Sequence, residues 1–369
     1  MKSAIIDVGG GMRGIYAAGV MDRCMEEKIH FDIGIGVSAG SANIVSYAAG
    51  QKGRNYLFYT EYSYRKEYMS LGNLLHKKSY IDMDYIYGVL SNEGGENPLD
   101  YPAIAANPAE LITVATNALT GEVKYFDKRD LSQNDYDIVK ASCSIPLVCP
   151  PYMINGIPYY DGALSDPIPV EKAFSMGCDK VVLILTRPKN FRRKPGKDRL
   201  IACSIRRKYP RAAFRMEQRS DNYNALLDKA VKLEQQGRLI IIAPDDTCGM
   251  DTLTRDREVT LTDSVFTAPA LNQDGNVLTV TIEEGPDWTG SETETETEPE
   301  TEEESEDGSE NETETETGTG STGNGSQKGS GSGSVKTGDE TPVGLSVMAG
   351  LLSLAVAAGC LVTLRRRAK

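Results

Sequence analysis

Phe31-Asp32-Ile33-Gly34-Ile35-Gly36-Val37-Ser38-Ala39-Gly40 decides how the rest of the chain is read. An apolar, strand-like run over 31–37 ends in Gly-x-Ser-x-Gly, and a helical pattern follows over 39–50. That order predicts a strand, a sharp turn and a helix, with Ser38 pushed out at the turn as a nucleophile elbow. Gly36, Val37, Ala39 and Gly40 build the elbow, the small residues being needed where backbone passes close to backbone. Ser38 then stands at a helix N-terminus, where unpaired amides and the helix dipole favour developing negative charge. A plain N-cap serine is the competing reading.

Upstream, a strand-like run over 3–8 leads into Gly9-Gly10-Gly11-Met12-Arg13-Gly14, and Ile15, Ala18, Met21 and Met25 then recur at helical spacing. Such a unit returns the chain parallel to itself. Its glycine-rich turn has two readings. One is a dinucleotide fingerprint, which needs an acidic residue about 20 positions on; here the second strand ends in Gly36-Val37-Ser38 instead. The other is an oxyanion hole made by amides around Gly10 and Gly11, where a reacting carbonyl approaches the main chain closely. Arg13 is then either a support for the loop or a surface residue.

A nucleophilic serine needs a base, and the chain has two histidines, His30 and His76. His30 begins the strand that ends at Ser38, roughly 25 Å away at about 3.3 Å per residue. His76 lies in the polar setting Leu74-Leu75-His76-Lys77-Lys78. Elimination points to a carboxylate. Asp161 is the candidate: it ends the second strand of a hairpin, Tyr152-Met153-Ile154 and Ile157-Pro158-Tyr159-Tyr160, turned by Asn155-Gly156, and Gly162-Ala163 follow it. Read alone, Asp161 simply begins a turn. Asp166, before Pro167, is read as structural.

Further strands are expected at 111–117, 180–186 and 238–243 and helices at 82–92, 169–176 and 221–237, the alternation of an α/β domain with a mostly parallel sheet. The formal charge of −13 lies wholly in the tail: residues 283–369 hold 19 of the 53 acidic and 6 of the 40 basic side chains. The neutral remainder, with basic residues scattered apart from a modest cluster across 187–215, argues against nucleic acid as a partner. Seven irregularly spaced cysteines suit a reducing compartment, and with no C-x-x-C pair and two histidines no ordinary zinc cage is expected.

The Gly-Gly-Gly-Met-Arg-Gly, Gly-Val-Ser-Ala-Gly and Asp-Gly-Ala motifs, in this order, resemble the patatin-like phospholipases, from about residue 3 to about 250. Ile145-Pro146, Asp161 to Val170 and Leu185-Thr186-Arg187-Pro188 resemble the bacterial branch. The resemblance implies a three-layer α/β/α sandwich and calcium-independent hydrolysis of lipid esters, without a cofactor or metal. Ser38 matches the family's nucleophile, Asp161 its dyad partner, Gly162 and Ala163 the rest of that motif, and Gly9 to Gly14 the oxyanion loop. The rival functions are a surface-display or adhesion protein with an inert domain of this shape, and the dinucleotide-dependent oxidoreductase.

The domain is expected over 1–250. Residues 251–290, with the strand-like Asn276 to Ile282, are left open as part of a second module. Residues 291–342, Glu-Thr alternation passing into Gly-Ser repeats, read as a disordered acidic linker. Val343 to Leu364 is 22 residues without a charge, about 33 Å as a helix against a hydrocarbon core of roughly 30 Å. It is expected to cross the membrane, with the basic end at 365–369 in the cytoplasm. Lys336-Thr337-Gly338 ahead of this span resembles a sortase-type wall-anchoring signal lacking its Leu-Pro, which on export makes a sortase a partner. The start, Ser3 to Val8 in strand-like order, leaves no room for an export signal, so the catalytic domain is expected on the cytoplasmic side.

Overall fold

The computed structural model describes residues 1–256 and two short strands beyond them. The strands are β1 (Ser3–Asp7), β2 (Ile33–Val37), β3 (Glu110–Asn117), β4 (Val123–Asp127), β5 (Tyr152–Ile154), β6 (Ile157–Asp161), β7 (Lys180–Ile184) and β8 (Leu239–Ile242), with β9 (Pro269–Leu271) and β10 (Leu278–Val280) as a separate antiparallel pair. The first eight form one sheet in the order β5-β6-β3-β2-β1-β7-β8, β4 pairing with β3 off that path. Strands β3, β2, β1, β7 and β8 are parallel, and the pairings of β4, β5 and β6 are antiparallel.

The ten helices are α1 (Gly14–Glu26), α2 (Ala39–Ala48), α3 (Arg54–Thr60), α4 (Leu71–Lys77), α5 (Tyr101–Ala106), α6 (Asp137–Ser142), α7 (Val170–Ser175), α8 (Gly196–Ile205), α9 (Pro210–Glu217) and α10 (Arg219–Gln235) among the described residues. Tyr85–Leu90, inside the helical pattern expected over 82–92, winds as a π-helix. The strand pattern decides where the helices lie. On β1, Ile5 points to a core shared with α1, α2 and α6, while Ala4 and Ile6 point to a second core shared with α7 and α10. Both faces of the parallel strands are therefore apolar and helix-covered, as their crossovers require.

The Ile-Gly-Ile-Gly-Val of β2 has a packing reason. Ile33, Ile35 and Val37 are fully buried on the α7/α10 side, each contributing about 1.5–3 kcal/mol by burial. Gly34 and Gly36 face α2, where a Cβ on Gly34 would press on Ile44 and one on Gly36 would overlap the Ser41 backbone. Larger residues there would push the helix, and the serine at its start, off the sheet.

The pairing of β3 places the hairpin. Val114 pairs with Val37 and Tyr125, and Ala115 with Asp161 and Lys124. Strand β6 thus continues along the edge of β3 that β2 has just left, and the end of β6 arrives beside the end of β2. No helix among the described residues is long and apolar enough to cross a membrane; the linker, the span expected over 343–364 and the sortase-like segment lie outside the described residues.

Candidate active site

Ser38 stands between β2 and α2 with φ 56° and ψ −133°, a backbone region costly to any residue but glycine, of order 1–3 kcal/mol. The surroundings hold it there. Its amide donates to Ser142 Oγ at 2.9 Å, and Ser142 Oγ donates in turn to the Val114 carbonyl at 2.6 Å. Its carbonyl accepts from the Ser41 amide at 2.9 Å and from Ser41 Oγ at 2.6 Å. A Cβ on Gly40 would overlap the Asp7 carbonyl, so the turn closes only with glycine there.

Asp161 is buried, 2% exposed. Burial raises its pKa, opposed by a hydrogen bond from the Ser38 side chain, by the Ala163 amide, and by the nearby charges of Arg219 and Arg193. The Ala163 amide donates to Asp161 Oδ1 at 2.8 Å. Gly162 admits this geometry because a Cβ there would overlap the Val114 carbonyl. The two residues singled out from sequence thus lie near each other at the ends of β2 and β6, close enough for the Ser38 side chain to influence the Asp161 carboxyl.

The glycine-rich loop is tied along its length. The Gly9 amide donates to Asp7 Oδ1 at 2.8 Å, and the Gly9 carbonyl accepts from Thr186 Oγ1. The Met12 amide donates to the Thr252 carbonyl at 3.1 Å. Arg13 Nη1 and Nη2 donate to Asp251 Oδ1 and Thr252 Oγ1 at 3.1 and 3.2 Å. Gly10 and Gly11, at φ 133° and 62°, adopt conformations that L side chains rarely take. Among the described residues their amides have no hydrogen-bond partner. Of the six residues Gly9 to Gly14, Gly11 and Met12 line the cavity beside Ser38. Gly14 starts α1, its carbonyl accepting from Asn43 Nδ2 at 3.0 Å.

Asp7 joins loop and elbow. Its Oδ2 accepts from Asn43 Nδ2 at 2.8 Å, and Asn43 Oδ1 accepts from Tyr59 at 3.2 Å. Burial raises the Asp7 carboxyl to about 6, against the Gly9 and Asn43 hydrogen bonds. Asp166 accepts from the Tyr125 hydroxyl and caps no helix; α7 begins after Pro169. His30 and His76 are exposed, away from Ser38 in the chain and in burial. No group of three or more His, Cys, Asp or Glu among the described residues is placed to hold a metal ion.

Beside Ser38 a cavity opens toward solvent, lined in part by Met12, Phe58, Tyr68, Met83, Ile86 and Leu253. It is mostly apolar, as a site for a hydrocarbon chain must be. Sequence reasoning missed Ser142, Thr186, Asp251, Thr252, Asn43 and the arginine pair. Thr186 lay in a stretch quoted only for its resemblance and Asn43 inside the helix after the elbow; the others reach the site through strand order or a long return of the chain.

A serine at a strained strand-to-helix turn, facing a buried carboxylate and a glycine loop, defines an α/β protein of the nucleophile-elbow type. Residues 8–174 match the family model described as Patatin-like phospholipase, and the chain carries a patatin-like phospholipase domain over them. Residues 209–263 match a second model, a domain of unknown function designated DUF6363. The Escherichia coli (strain K12) protein named Uncharacterized protein YjjU is 29% identical over 192 residues, 51% of this chain and 52% of that protein. The chain thus aligns with about half the length of this curated relative. The crystal structure of VipD from Legionella pneumophila aligns with a TM-score of 0.30 and 13% identity over 62% of this chain and 67% of that one, a likeness too slight to inform the fold.

Proposed function

We propose that the protein is a serine acyl hydrolase of lipid esters that works through Ser38 and Asp161. Ser38 Oγ attacks the ester carbonyl while Asp161 accepts its proton. The Gly10 and Gly11 amides donate to the oxyanion, whose charge they meet without reorganising. The proton passes to the departing alcohol, and water, deprotonated by the same carboxylate, releases the fatty acid from the acyl-serine. Calcium has no part in this scheme. The patatin-like domain supports lipid acyl hydrolysis as the reaction class, and the observation that carries the residue roles is Ser38 in a strained turn at the cavity, with the buried Asp161 carboxyl close enough to feel its side chain. Burial supplies the basicity: a carboxylate held out of water is a stronger base than one in solution.

Ser38→Ala is expected to fold and to lose hydrolysis of a chromogenic medium-chain acyl ester, and a fluorophosphonate probe should label the wild-type peptide that contains Ser38. Turnover surviving in that variant would sink the assignment. Because the Asp161 pKa is raised, the base is ionised only above the ordinary aspartate range, so kcat should rise with pH along an acid limb displaced upward from it. Asp161→Asn should remove both the limb and the activity.

A further inference from the structure

The cavity beside Ser38 contains one charge that the hydrolytic scheme leaves unused. Arg54, at the start of α3, lines it while only 6% exposed. Its guanidinium meets neutral groups alone: Nη1 donates to Ser46 Oγ at 3.0 Å, and Nη2 to Ser91 Oγ at 2.9 Å and the Asn97 carbonyl at 3.0 Å. The Phe58 ring lies 4.6 Å away. Nε is buried with no hydrogen-bond partner, and no carboxylate among the described residues pairs with Arg54. Burial lowers its pKa to about 10, which leaves it cationic at neutral pH. A buried charge without a counter-ion is costly to fold around, and a planar guanidinium is the group best suited to a carboxylate or phosphate.

Position along α2 gives the reach. Ala39, Ala42 and Asn43 line the cavity, and Ser46 continues their helical face up to Arg54. Eight residues separate Ser38 from Ser46, about 12 Å at 1.5 Å per residue. With the 3.0 Å step from Ser46 to the guanidinium offset by roughly 3 Å each for the anion's hydrogen bond and the carbonyl's approach to Ser38, an anionic oxygen on Arg54 lies on the order of 10 Å from the reacting carbonyl. That is about seven bonds of an extended chain.

We infer that Arg54 binds an anionic group on the substrate, a phosphate or carboxylate about seven bonds from the scissile carbonyl, and that it selects charged esters over neutral ones. The inference rests on the reading of Ser38 as nucleophile, which sets the origin of the measurement. Two sources offer that chemistry. A phosphate on the glycerol side of a 1-acylglycerol 3-phosphate has this reach, and so does a carboxylate at the far end of an eight-carbon acyl chain.

Binding tests the site without turnover. By calorimetry on the full chain, octyl phosphate is expected to bind at least tenfold more tightly than octanol. Arg54→Leu should erase that difference, and Arg54→Lys should restore part of it. Equal affinity of the wild type for the two ligands overturns the inference, and needs no variant to fold; so does a preference that survives in a folded Arg54→Leu protein. Turnover then locates the anion. A 1-acylglycerol 3-phosphate is compared with its monoacylglycerol, and the nitrophenyl ester of an eight-carbon chain ending in carboxylate with its methyl-capped counterpart. At least one pair should show a kcat/KM preference of tenfold or more that depends on Arg54; neither pair doing so also overturns it. Tight octyl phosphate binding together with no hydrolysis of any ester would instead refute the role of Ser38 and leave the anion site standing.

Discussion

The elbow at Ser38 and the loop from Gly9 to Arg13 are both sharp turns after parallel strands, yet they are held by different means. The elbow is fixed mainly by close packing, with one distant tie: α2 lies against Gly36, Gly40 against the Asp7 backbone, Ser41 reaches back to the Ser38 carbonyl, and Ser142 holds the Ser38 amide. The loop is fixed from far away, by Thr186 and by Asp251 and Thr252, the last of these 240 positions on. Crowding does most to set the position of Ser38, where displacement meets backbone. Polar ties set the position of Gly10 and Gly11, where loss of one tie leaves the others.

Three measurements break or sharpen that contrast. The largest effect is expected at Asp7, which serves both turns. Its folded pKa is raised to about 6 from 3.8, so the folded state holds the proton more tightly than the unfolded chain. The stability it contributes is fully present below about pH 4 and is lost as pH rises through about 6, on the order of 2–3 kcal/mol. Urea melts from pH 4 to 7 should show this decline in the wild type and a flatter profile in Asp7→Asn. Identical profiles would mean that Asp7 does not titrate in this window.

Ser142→Ala comes next. It leaves the Ser38 amide and the Val114 carbonyl without their shared partner, expected to cost about 1–3 kcal/mol and to lower kcat with little change in KM. Unchanged kcat would show that crowding alone aims the serine. The smallest effect is expected at Asp251→Ala, which cuts one tie of the loop through a partly exposed ion pair. Stability should fall by about 1 kcal/mol while kcat drops by about tenfold; a stability loss larger than that for Ser142→Ala would reverse the ranking of the two turns.

The same contrast explains what the sequence made legible. The elbow, the loop and Asp161 each announce themselves in a few adjacent residues, because the backbone there demands glycine or a turn. Strands β1, β2, β3 and β7 follow from apolar runs. Strand β4 escaped notice because Val123-Lys124-Tyr125-Phe126-Asp127 buries Phe126 alone and so shows no apolar run. Ser142 and Arg54 gave no signal, since a serine near a helix end and an arginine at a helix start are ordinary until β3 and α2 bring them to the site. Residues 251–256 had no periodicity to read; their order comes from what they touch.

The bond between the Met12 amide and the Thr252 carbonyl has a consequence for how the protein is made. At roughly 5–20 residues per second, a ribosome needs on the order of 10–50 s to travel from one partner to the other. A nascent chain therefore carries Ser38 through much of translation while the glycine-rich loop still lacks this tie. The final geometry of the glycine-rich loop is therefore set only with the closing stretch of the domain, among the last features of the fold to be completed.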